Sequence, residues 1–415
     1  MKKSEPATLF LFLINPFLSF ILAIRNLTRI QNCIVFVIFC ALWGWSMSFE
    51  YTPCDNYRIA AMFCSRHFTS LAQVFDYHEE GKSLDMYLNM VNLIVHKFSN
   101  NAKAYFAVLS FVYGVFMVAC IRYILINRIN KKSQYLSLFL ILMFFTASIA
   151  NSTMPRYWTA AWCMTFVMLK LTNKQYQWVP LLVLLPYIHF SFLPVSLVLG
   201  FAVFFSGYFY KYEKQLFILM CVIFILSFFL SEGLISYLIP DEWFTGEKAT
   251  SKYNSYVNTN QLKGRAVYHQ VSAYRQANNL VTKLFHNLMK IGSFLVIYFI
   301  YKYRILFKDN IRIKKIFIFI LMLGSICFFM SIVRNVGWRY IWLLWLPIYY
   351  LLFVIYDIYR PKFIRRYSPL LILVNVYTIV FAIYLTYMTV DLRLFWQPLY
   401  NIIVNGIDFP PVNFV

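Results

Sequence analysis

Apolar residues gather into runs of membrane-crossing length, separated by short polar gaps, along nearly the whole chain. Such runs fall at 33 to 50, 103 to 126, 134 to 150, 154 to 171, 215 to 232, 284 to 303, 316 to 333, 338 to 357 and 368 to 389. Each is close to the roughly 20 apolar residues that carry a helix across a hydrocarbon core, so each predicts one crossing. Another run, 178 to 210, is too long for one helix and is punctuated by Pro180, Pro186 and Pro194. Proline lacks the N–H that an interior helical turn needs. This stretch therefore predicts two short crossings meeting near "YIHFSF", Tyr187 to Phe192, with the freed backbone groups satisfied by neighbours or water. The earliest run, 7 to 24, is broken by "NPF" at Asn15 to Phe17 and shows no convincing small-residue cleavage site. It reads as a retained segment, and as a crossing in preference to a re-entrant hairpin turning at Pro16. The pattern predicts an all-α, polytopic integral membrane helical bundle of about 11 to 12 transmembrane helices, one membrane domain over 1 to 415.

Composition agrees with this pattern. Of 415 residues, 61% are hydrophobic and only 13% charged, against about 25% charged in a soluble domain. The net charge of +22 would suit a nucleic-acid partner, but the basic residues sit mostly in the short gaps, which is how a membrane protein records its orientation. The gaps "RNLTR" (25 to 29), "NRINKK" (127 to 132), "KYEK" (211 to 214), "YKYRILFKDNIRIKK" (301 to 315) and "YRPKFIRR" (359 to 366) are assigned to the cytoplasm. Residues 51 to 102 and 233 to 283 then become two extracytoplasmic segments with helical character, joined on that side by turns at 151 to 154 and 334 to 338. The expected partner from charge is the lipid bilayer, not nucleic acid.

Within the first segment, Met86, Met90, Leu93, Ile94 and Val95 recur at near-helical spacing, as in an interfacial helix lying on the membrane. In the second, Arg265, Tyr268, Ser272 and Arg275 share one helical face, which suits an anionic or sugar ligand and a solvated surface equally. The eight cysteines show no CxxC and no zinc-type cluster; Cys54 and Cys64 share one loop and are the pair able to form a disulfide, free thiols being the default. No internal repeat and no matching pair of broken segments is visible, which counts against an inverted-repeat transporter.

Charged side chains at membrane depth are costly, so those retained often mark a site. Arg156 begins an inward crossing, and Arg334 and Arg339 flank the turn in "VRNVGWRYIW"; all three fall at one outer level, beside Asn151. Arginine keeps its charge and presents a planar fork matched to phosphate oxygens, so converging arginines suit a diphosphate. Arg156 also falls in the first turn of its helix, where free N–H groups favour anions. Snorkelling toward head groups is the plain alternative for any one of them. His189, with Ser191 two residues on, is a core histidine or a base for a hydroxyl proton. Asp55 follows the outer end of the 33 to 50 run and is placed to orient an acceptor hydroxyl, neutralise an arginine or cap a helix. The other histidines are scattered with no HExxH, so no metal site and no cofactor are expected. No P-loop, GxGxxG, GxSxG or Asp-x-Asp is present, which removes support for nucleotide-driven transport, dinucleotide redox chemistry, serine hydrolysis and metal-nucleotide sugar transfer.

The order of these residues resembles the EpsG family of Wzy-like polysaccharide polymerases. The likeness lies in Asp55 and Tyr57 after an early outward helix, Asn151 and Arg156 at a tight outer turn followed by Ala160 and Ala161, His189 and Ser191 in a broken segment, Arg339 with Tyr340, and "KYNSY" at 252 to 256. It covers roughly 35 to 345, through short, degenerate motifs. The family's Asn-x-x-Arg-Gln arrangement is altered: the spacing is longer, and Tyr157 stands in place of glutamine. The resemblance implies a GT-C-like fold in the bacterial cytoplasmic membrane, acting on its outer face. It also implies the reaction, O-antigen, capsule or exopolysaccharide assembly from oligosaccharide units on undecaprenyl diphosphate, with a flippase and a chain-length regulator as partners. In that chemistry Arg156 and Arg339 are expected to clamp the diphosphate, and His189 to act as base with Asp55 second. Arg334, Asn151 and Arg275 would support them, and Tyr57, Ser191, Tyr268 and Tyr340 would line the sugar site. A ligase using the same donor and a lipid-linked oligosaccharide transporter are the alternatives.

Overall fold

The computed structural model describes residues 5–49, 55–129, 134–230 and 273–407, apart from the side chains of 5–9, 273–281 and 334–336. Among them, all regular structure is helical except one isolated bridge between Met47 and Val390. Six helical stretches are long and apolar enough to cross a membrane: Ala102–Ile126, Gln134–Thr153, Thr282–Lys302, Ile311–Met330, Gly337–Tyr359 and Lys362–Thr389. With the shorter apolar helices between them, they make the chain a multi-pass membrane protein.

The early segment folds as α1 (Glu5–Ile14) and α2 (Pro16–Ile24), broken where Asn15 caps α2 by accepting from the N–H of Leu18 at 2.8 Å. Proline at the first helical position costs nothing, since its missing N–H would be unpaired there anyway. Next come α3 (Ile30–Trp45), then the short α4 (Asp55–Ser65), α5 (Leu71–Glu79) and α6 (Tyr87–Val95), then α7 (Ala102–Ile126), α8 (Gln134–Thr146) and α9 (Pro155–Thr172). The α3 and α7 helices pack closely because Gly44 and Gly114 carry no side chain: a Cβ on Gly44 would lie 2.1 Å from the Phe106 carbonyl oxygen. In lipid, where apolar surface gains nothing by leaving the solvent, such small residues let backbones approach.

The proline-punctuated run forms α10 (Val179–Ile188) and α11 (Leu193–Phe204), joined by a turn over His189 to Phe192. Tyr176, just before α10, stacks on Phe204 at the far end of α11, with centroids 5.8 Å apart, so both feet of this hairpin stand at one end of the bundle. At 10 and 12 residues the arms are about 15 and 18 Å long, against a hydrocarbon core of about 30 Å. The two expected crossings are thus two partial arms, and their meeting point is a tip within the bundle.

The chain continues through α12 (Ser206–Lys211) and α13 (Glu213–Phe229) to α14 (Ala273–Lys302), α15 (Ile311–Met330), α16 (Arg334–Tyr359), α17 (Lys362–Thr389) and α18 (Leu399–Ile407). The central element is α16, whose apolar window is 94% buried and whose Trp345, Tyr349 and Tyr350 are fully enclosed by α8, α14 and α15. The basic gaps collect at the end that holds the hairpin feet; Ser46, Val390 and the first turns of α9 and α16 lie at the opposite end. The α6 helix departs from the sequence expectation. It buries Leu88, Val91 and Val95 against the bundle, packs Leu93 in a small separate cluster with Phe68, Val74 and Met86, and leaves Ile94 outside; Tyr105 of α7 donates to the Leu88 carbonyl at 3.0 Å and draws the helix inward.

Candidate functional site

At the end away from the basic gaps, five pieces of chain meet: the start of α4, the segment leading into α6, the first turn of α9, the hairpin tip and the second turn of α16. Pro155 sets the first position of α9 and is followed at once by Arg156 and Tyr157. The Nη1 of Arg156 donates to both carboxylate oxygens of Asp85, at 3.2 and 3.1 Å. Asp85 is 2% exposed and Arg156 29% exposed, so an almost dry carboxylate holds a guanidinium that still faces outward. One nitrogen makes both bonds, and the fork is not used edge-on.

A second pair lies alongside. Arg339 Nη2 donates to Asp55 Oδ2 at 3.3 Å, while Arg58 holds the other oxygen of Asp55 at 3.0 Å. The Arg339 guanidinium rests over Trp338 and Tyr157, at 5.2 and 6.0 Å from the ring centres. Asp55 is near enough to Arg156 to act on its charge, so the two pairs form one electrostatic unit. Its three arginines and two carboxylates leave one net positive charge.

Tyr157 is the hub. Its ring meets His189 edge-on at 5.5 Å and also contacts Phe192 and Tyr340. Its hydroxyl and the Nε of Arg339 are both enclosed without a hydrogen-bond partner among the described residues. Buried polar atoms are usually paired, so these two orphans, on residues already in contact, can receive a polar group. The hydroxyl of Tyr340 donates to the Ser191 carbonyl at 2.7 Å, and the N–H of Met86 donates to the Tyr187 carbonyl at 2.9 Å, pinning the tip from both sides.

The histidines divide by tautomer. His189 Nδ1 accepts the backbone N–H of Ser191 at 3.2 Å and lies 2.8 Å from its hydroxyl oxygen. A nitrogen that accepts an N–H holds no proton, so the neutral ring carries its proton on Nε2 and presents a donor there. That differs from the base expected of His189. His78, beside Tyr187 at 6.3 Å between ring centres, has its Nδ1 2.7 Å from the Ser83 carbonyl oxygen. That nitrogen must donate, which leaves the Nε2 lone pair of neutral His78 as the acceptor.

Of the residues singled out from sequence, Asp55, Arg156, His189, Ser191, Arg339 and Tyr340 come together here. Asn151 does not reach the arginines: it is buried, and its amide donates to the Thr146 carbonyl at 3.3 Å, closing the end of α8. Tyr57 is half-buried and packs against the apolar core. Arg334 begins α16, so Arg339 lies within a helix and does not flank a turn. The side chains of Arg334 and Arg275, and Tyr268, "KYNSY" and Cys54 entirely, fall outside the described residues, and the Cys54 to Cys64 pairing with them. Asp85 and His78 were missed; the pattern around Asp85 signalled only an amphipathic helix. Comparison with protein-family models, curated proteins and solved structures gave no match.

Proposed function

We propose that this chain is a membrane glycosyltransferase, a Wzy-like polymerase of the EpsG type. It would join oligosaccharide units carried on undecaprenyl diphosphate at the extracytoplasmic face of a bacterial cytoplasmic membrane. The observation that carries the reading is the clustering of Arg156 and Arg339 about Asp85 and Asp55 at one end of the bundle, with an unpartnered Tyr157 hydroxyl and Arg339 Nε in the same cluster. Guanidinium and hydroxyl donors from α9 and α16 suit the oxygens of a phosphorylated leaving group.

In the proposed step, an acceptor hydroxyl oxygen forms a bond to the anomeric carbon of the donor sugar. The bond from that carbon to the carrier diphosphate breaks, and the diphosphate leaves with the electron pair. Arg156 and Arg339 offset the charge gathering on it. The hydroxyl proton passes to a base, with the Nε2 of neutral His78 or the carboxylate of Asp55 as acceptor. Tyr340 and Ser191 hold the tip against which the sugars lie.

Deleting the gene and examining lipid-linked glycan tests the reading. Single repeat units on the outer leaflet are expected to accumulate. Accumulation confined to the inner leaflet points instead to a transporter, and full-length lipid-linked polymer points to a ligase. In the purified protein, Arg156→Lys keeps the charge and loses the fork, and is expected to cut chain growth at least about 100-fold, in the range seen for lost oxyanion donors. Unchanged chain growth in that variant overturns the clamp.

A further inference from the structure

We propose that the apolar groove bounded by α2, α3, α7, α8 and α17 binds an anionic phospholipid from the leaflet on the basic side, its phosphate held by Arg25 and Arg128. The groove encloses a volume of about 870 Å³, toward the upper end of the roughly 300–1,000 Å³ of small-molecule sites. Its walls are apolar, among them Phe20, Ile24, Leu125, Ile141 and Phe144, and no acidic side chain lines it. Its lining runs from Arg25, Asn26 and Arg128 at the basic end to Ala150, Leu392 and Phe395 at the opposite end. An extended acyl chain hanging from a head group at the basic end fits within that length.

The end at the basic gaps chooses the occupant. Arg25 caps the end of α2 and Arg128 follows α7, with Asn26 and Thr28 between them on the rim. Neither arginine forms a salt bridge among the described residues. Two guanidiniums without a salt bridge among the described residues, over an apolar slot, match a phosphate head with a chain below it, and basic pockets between helices on the anionic side of a membrane select such lipids. A zwitterionic head would set its own cation against the arginines. The proposal does not depend on the transfer chemistry above, since the groove shares no residue with the arginine cluster at the other end.

The full chain, purified in detergent and stripped of lipid, is titrated with phosphatidylglycerol and with phosphatidylcholine of the same acyl chains, and bound lipid is counted by native mass spectrometry. Phosphatidylglycerol is expected to bind more tightly, by roughly twenty-five-fold if each arginine contributes about five-fold. Arg25→Gln with Arg128→Gln should remove that preference, and Ile141→Trp, which fills the lipid-facing side of the groove, should weaken both lipids together. Melting of the lipid-free variants checks that they fold. Equal binding of the two lipids to the unaltered chain, or an undiminished preference in the arginine double variant, overturns the proposal. So does displacement of phosphatidylglycerol by an equimolar polyprenyl phosphate.

Discussion

Arginines sit at both ends of this bundle, and the two ends hold them differently. At the basic end, Arg304 gives its Nε to Glu213 at 2.7 Å, its Nη1 to the Tyr301 carbonyl at 3.0 Å, and its face to the Tyr301 ring at 3.9 Å. Glu213 starts α13, so this pair straps one loop to one helix end and leaves little of the guanidinium idle. At the other end, Arg156 and Arg339 spend one nitrogen each on a carboxylate, and Arg339 Nε is left without a partner among the described residues. An arginine used up by its neighbours is a strut; one held by a single nitrogen and flanked by orphaned donors is kept ready for a ligand.

Stability and activity should separate along this line. The largest expected effect is Arg156→Met, which strands the buried Asp85 carboxylate; breaking a pair of this kind costs about 3 kcal/mol after allowing for the partial exposure of the arginine. Urea unfolding in detergent should show Asp85→Asn restoring most of that loss in the double variant, because the stranded charge is gone; simple additivity would mean the pair is not coupled. Next comes Asp55→Asn, with an expected cost of about 1 kcal/mol, since Asp55 is part-exposed and shared by two arginines. This variant also frees Arg339, so a titration with inorganic diphosphate followed by tryptophan emission from Trp338 should tighten; an unchanged affinity would separate Asp55 from the anion site. The smallest effect belongs to Arg304→Gln, about 0.5 kcal/mol or less and with full chain growth retained. Loss of chain growth in that variant would erase the distinction between strut and clamp.

Much of the scaffold was legible in the chain because burial in a membrane protein is written locally. Several apolar runs became helices within a few residues of their expected ends, 103 to 126 as Ala102–Ile126 and 154 to 171 as Pro155–Thr172, whereas the helices of the runs from 284 and 368 begin earlier, at Ala273 and Lys362. Pro180, Pro186 and Pro194 marked the broken segment for a backbone reason that no neighbour can change. Partners were another matter. Asn151 looked like a companion of Arg156, yet it turns inward to a carbonyl of its own turn, the nearest group in need of a donor. Asp85 was hidden because one acidic residue beside an amphipathic stretch has the same local signature whether it faces water or a guanidinium.

The sequence by itself determined the class of molecule, the places where helices break, and that Arg156 and Arg339 fall at the end of the bundle away from the basic gaps. These follow from hydropathy, from proline and from the cost of charge in lipid, all of which act on a residue and its near neighbours. Only the tertiary structure decided that Arg156 is answered by Asp85, Arg339 by Asp55 and the Ser191 carbonyl by Tyr340. It also fixed which histidine nitrogen keeps its lone pair. Such pairings depend on which helices become neighbours, and that is settled by packing over the whole bundle, around small residues such as Gly44 and Gly114, with no local pattern to announce it.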